Sequence, residues 1–121
     1  MKDESALLAE GDVAKIDLGS HLDGFVAQAA HTIVVGDAKV TGRKADVILA
    51  AHTALLAAQR SIKEAGTNTS VTEVIAKVCE EFGVTAVEGV LSHKMKKHLI
   101  DGNDVIINKE TPDQKVAEYE F

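Results

Sequence analysis

The residues best suited to chemistry lie in KIDLGSHLDGFVAQAAHT, residues 15–32. Asp17 stands inside an apolar, strand-like run, where an unpaired carboxylate is costly. Eleven residues further on is Gln28. A two-metal hydrolase needs several carboxylates, at least one of them bridging the ions, to hold their charge and activate a water. Adjacent strands can supply two such groups from one sheet face. Gln28 has the length for the second place but not the charge. Its amide oxygen can touch one cation, yet it cannot act as the anion between two. Asp17 is therefore expected to be satisfied by backbone amides or by Lys15, with a working ligand as the alternative.

The other candidates are weaker. His93 sits near a strand end, where a single histidine is more often structural or exposed than a ligand. His21, His31, His52 and His98 lack the H-E-x-x-H spacing of a zinc site, and strand parity puts His31 on the face opposite Gln28. Cys79 reads as a small apolar residue within a helix, with no histidine arranged to activate it. Gly19, Gly24 and Gly42 form neither a phosphate loop nor a dinucleotide fingerprint, so no cofactor is indicated. HKMKKH, residues 93–98, is the densest basic run. Lys94, Lys96 and Lys97 there could meet phosphates, and Arg43 with Lys44 could join them only if the fold brings the two groups together. The run holds no aromatic residue on which a base could stack.

These side chains depend on a few elements. Residues 13–18 favour a strand, HLDG supplies an Asp-Gly turn at Asp23 and Gly24, and residues 25–35 return as a second strand. With that turn, paired residue numbers sum to 47, so Asp17 faces Ala30 and Gly19 faces Gln28. Asp17 and Gln28 then share a face as diagonal neighbours. Val47, Ile48, Ala51, Leu55, Ala58 and Ile62 follow helical spacing, with Gly66 just beyond. SVTE at residues 70–73 has the capping-box pattern of a second helix, which continues through Val74, Ile75, Val78 and Phe82 to Gly83. Residues 84–93 and 104–108 read as later strands, and KVAEYEF ends with alternation just beginning, as in a piece of a larger sheet. Strands and helices segregate, so the class is α+β, an antiparallel sheet with two helices on one face.

Composition narrows the function. With 45% hydrophobic and 26% charged residues the chain is that of a single soluble domain. Its three Phe, one Tyr and no Trp leave the core to Ala, Val, Ile and Leu. A net charge of −6 disfavours a whole-surface nucleic-acid binder and restricts any such contact to a local basic patch. The lone Cys79 rules out an internal disulfide and favours a reducing compartment. No apolar run approaches membrane-span length, and MKDESALLAEGD has acids where a secretory signal needs cations, so an intracellular chain with no membrane role is expected.

EGDVAKIDLGSHLDGFVAQAAHTIVV, TGRKADVILAAHTA and VEGVLSHKMKKHLIDGN closely resemble the proliferation-associated, ErbB-receptor-binding protein family. That family is the non-peptidase branch of the type II methionine aminopeptidases. The resemblance implies the central part of a pita-bread fold over residues 1–121, without the family's N-terminal helices and C-terminal strands. It places Asp17 at the first metal Asp, Gln28 at the bridging Asp and His93 at the metal His. Asp101 stands where active enzymes use a substrate-contacting His, and the later acids have no counterpart here. It thus implies a degenerate site with no metal and no catalysis. Implied partners are the large ribosomal subunit and structured RNA, other nucleic acids or protein regulators, with growth, translation or transcription as the process. The implied location is cytoplasm, nucleus and nucleolus. Two alternatives remain: a metal-dependent aminopeptidase with altered ligands, and an interaction fragment with no site of its own. Open sheet edges and apolar faces would make such a fragment self-associate or leave it only marginally stable alone.

Overall fold

The computed structural model describes residues 7–118. Strands β1 (Val13–Leu22) and β2 (Phe25–Val34) form an antiparallel hairpin. Asp23 at φ 49° and Gly24 at φ 86° make a type I′ turn, whose twist matches that of the strands it joins. This turn fixes the register. Asp17 pairs with Ala30 and Gly19 with Gln28, as the sequence predicts; β1 runs on to Leu22, beyond the expected end at Leu18, while β2 stops at Val34, just short of Val35.

Helix α1 (Gly42–Ser61) packs against α2 (Asn68–Glu81). The buried stripe of α1 differs from the expected one. Ala50 and Ala54 face inward, whereas Val47 and Leu55 are more than half exposed. The stripe is turned by one residue, about 100° on a helix. Alanines are thus the buried residues of α1, and Val71 of α2 has no exposure at all.

The second helix begins earlier than the capping-box pattern indicates. Thr67 is the N-cap, its Oγ1 accepting from the Ser70 amide at 3.3 Å, while the Ser70 hydroxyl donates to the Thr67 carbonyl at 2.6 Å. Asn68 then anchors the first turn by accepting from the Thr69 amide. At the other end Gly83, at φ 60°, donates to the Glu80 carbonyl and Val84 to that of Cys79, each at 2.9 Å. This is the paired closure that a left-handed residue after a helix permits. Arg43 seals it by donating to the Phe82 and Gly83 carbonyls, joining the start of α1 to the end of α2.

Two short strands, β3 (Leu91–His93) and β4 (Val105–Ile107), pair antiparallel, and β4 lies against α2. The strands thus form two separate two-stranded ladders. The strand expected over residues 84–93 shortens to its last three, because Gly89 at φ 75° turns the chain away. Of the final alternating stretch, Glu118 bridges Thr67, and residues 119–121 lie outside the described residues, as do residues 1–6 of the N-terminal stretch. No described helix is long and apolar enough to cross a membrane.

Just after β4, Lys109 donates to Glu88 at 2.9 Å. That hydrogen bond and the lysine's charge hold the Glu88 carboxyl below the usual carboxylate range. A depressed folded-state value means that the contribution is present above the unfolded-state value and fades as pH falls through the folded one. Removing the cation with Lys109→Ala is expected to raise the Glu88 midpoint in an NMR carboxyl titration. Stability should change little, since the pair is exposed.

Candidate functional site

The hairpin places Asp17 and Gln28 on one face, together with Lys15, Gly19 and His21. The face is not buried. Asp17 is exposed and its carboxylate has no hydrogen bond or ion pair among the described residues, so water solvates it rather than Lys15 or backbone amides. The penalty expected for an acid in an apolar run is absent because no described residue covers Asp17. On the opposite face Ile16, Leu18, Leu22 and Phe25 are also exposed, Leu22 at 80%.

Gln28 lines an open cleft of about 430 Å³ with His21, Gly24, His98 and Ile100. His21 Nε2 accepts the Gly24 amide at 3.0 Å, so its ring proton sits on Nδ1. The ring of His98 lies so close to Gly24 that a Cβ there would collide with it, and the His98 amide donates to the Gly24 carbonyl at 2.8 Å. Both histidines thus hold the turn at Gly24. Sequence reasoning passed over them because it looked for metal spacing, although HLDG does hold a histidine three residues before the turn glycine.

His93 ends β3, and its Nδ1 lies 2.9 Å from the Gly102 carbonyl. A metal-bound histidine is oriented by this kind of bond. His93, however, lines a different cleft, about 310 Å³, with Lys94, Asp104, Asn68 and Glu118. Asp101 is exposed in the loop before β4 and lines neither cleft. Among the described residues no three His, Cys, Asp or Glu side chains come together as ion ligands. Among the described residues the donor set does not fit a binuclear metal centre: Asp17 is a single carboxylate, its diagonal neighbour Gln28 is an uncharged amide, and no third ligand joins them.

The basic candidates divide into two groups. Lys44 donates to the Gly11 carbonyl at the base of the hairpin, beside Arg43 at the end of α2. Lys97 pairs with Asp23 at 3.1 Å, at the hairpin tip. The ten-residue β1 strand lies between them, about 30 Å of extended chain. Arg43 and Lys44 therefore do not join the lysine loop in one patch. Within that loop Lys94 pairs with Asp104 at 3.4 Å, and Lys96 is exposed. The fold also adds what the run itself lacks, since Lys97 stands 4.9 Å from the ring centre of Phe25.

The description "Metallopeptidase family M24" matches residues 2–118, and the chain belongs to that family, whose pita-bread domain combines helices and antiparallel strands as seen here. It is 48% identical over 124 residues to "Proliferation-associated protein A" of Dictyostelium discoideum, covering 100% of this chain and 32% of that protein. It is 47% identical to "ERBB-3 BINDING PROTEIN 1" of Arabidopsis thaliana, over 98% of this chain and 30% of the relative. With "Curved DNA-binding protein" of Schizosaccharomyces pombe it shares 45% identity over 89% of this chain and 28% of the relative. The chain thus spans about a third of the length of these relatives.

Proposed function

We propose that this chain is the central part of a pita-bread domain that acts by binding rather than by catalysis, with structured RNA, including ribosomal RNA, as its partner. The observation that carries the non-catalytic part is Gln28. It occupies the place diagonal to Asp17 where a bridging anion is required, and an amide cannot balance two divalent charges. The lack of any cluster of three His, Cys, Asp or Glu ligands among the described residues supports the same reading. The names of the relatives from Dictyostelium and Arabidopsis agree with a non-peptidase branch, and the name of the fission-yeast relative supports nucleic acid as the partner class.

The test is methionine release from a short Met-Ala-Ser peptide with cobalt or manganese. Neither the chain nor its Gln28→Asp variant is expected to turn over, because a two-metal site needs several carboxylates and Asp17 with one added acid are too few. Turnover abolished by Asp17→Asn would instead establish an aminopeptidase with altered ligands.

A further inference from the structure

The geometry points to the hairpin tip and the lysine loop together as a surface for RNA with unpaired bases, held in check by Asp23. This rests on the nucleic-acid reading above. Binding a flexible strand takes cations along its backbone and a ring on which a base can stack. Contacts across 74 residues of sequence supply both at one place. Phe25, the first residue of β2, is 62% exposed and has Lys97 at its ring. Lys96 extends from the same loop, and its side chain has no ion pair among the described residues.

The loop cannot swing away easily. The His98 amide donates to the Gly24 carbonyl, and the Lys96 and Leu99 backbones exchange bonds at 2.9 Å. Ring and cations are thus held together before any ligand arrives. The check is electrostatic: Asp23 engages Lys97, and Asp104 engages Lys94. Both pairs are substantially exposed, so water screens them and a polyphosphate chain can displace the carboxylates.

Asp23→Asn isolates this effect because asparagine suits the first central position of a type I′ turn, so the hairpin is retained. Asp37→Asn makes the same change in net charge just beyond the far end of β2. Phe25→Leu keeps an apolar side chain but removes the stacking ring. Fluorescence anisotropy of the chain with an RNA hairpin carrying an unpaired loop, and with a plain RNA duplex, reads all three. Asp23→Asn should tighten loop binding about threefold, with a salt dependence steeper by close to one phosphate contact. Asp37→Asn should leave it unchanged. Phe25→Leu should weaken loop binding about fivefold and duplex binding hardly at all.

Equal gains from Asp23→Asn and Asp37→Asn would reduce the effect to net charge and overturn the check. RNA binding indifferent to Phe25→Leu and Asp23→Asn would place the surface elsewhere while leaving the nucleic-acid reading intact. Absence of RNA binding in both the chain and Asp23→Asn would overturn both. Competition by polyglutamate as effective as that by RNA would identify a generic anion surface and also overturn the inference.

Discussion

Replacing Asn68 by alanine is expected to lower the unfolding free energy by about 3 kcal/mol, or the melting temperature by about 10 °C. Only 3% of Asn68 is exposed, and its amide joins three segments. Nδ2 donates to the carbonyls of Val105 in β4 and Lys115 beyond it, at 3.1 and 2.9 Å. Oδ1 accepts from the Thr69 amide at the start of α2 and from Ala117, each at 2.9 Å. Truncation leaves several backbone groups without their partner in a place that water reaches poorly, and each such loss costs about 1–3 kcal/mol. Aspartate would keep the acceptor but set a carboxylate against two carbonyls, so Asn68→Asp should be no more stable than Asn68→Ala at neutral pH. Urea denaturation measures both; a loss below about 1 kcal/mol for alanine would show that the segment is fastened by other means.

The second large effect is expected at Gly102. It is buried, and a Cβ built there falls inside contact distance of the Lys94 carbonyl oxygen. That oxygen belongs to backbone beside the β3–β4 ladder, where the Lys94 amide donates to the Asp104 carbonyl at 2.9 Å, so it has little room to yield. Gly102→Ala should cost about 2–3 kcal/mol and move the Gly102 carbonyl away from His93. Faster amide exchange at Lys94 and a shifted His93 ring signal in NMR would report the displacement. Gly89→Ala is the useful contrast. It has a positive φ of 75° with no atom near its added methyl, so only backbone strain of about 1 kcal/mol is expected. Equal losses at the two positions would remove the steric explanation for Gly102.

Local chemistry explains which parts of the fold were legible. Asp23-Gly24 admits a tight I′ turn, and a side-chain period of two then fixes every pair in the hairpin. The face shared by Asp17 and Gln28 followed from that arithmetic. Helix α2 ended as Gly83 indicated, because a left-handed closure is a local property. Its beginning was misjudged, since Asn68 is tied to residues 47 and 49 positions away and those bonds moved the first turn. The face of α1 was misjudged for a related reason. Periodicity locates apolar residues, but tertiary packing selects which stripe is covered, and here alanines are buried while Val47 and Leu55 are not.

The sequence by itself determined the hairpin, its register and the uncharged amide at Gln28 diagonal to Asp17, each a consequence of residue type and near-neighbour spacing. The family resemblance it carries is borne out by the M24 match over residues 2–118. Tertiary structure decided the rest. It set His93 against the Gly102 carbonyl, parted Arg43 and Lys44 from the lysine loop, and set Phe25 beside Lys97. Those outcomes depend on where distant segments meet, which is settled by packing and by hydrogen bonds spanning tens of residues; no local pattern encodes them.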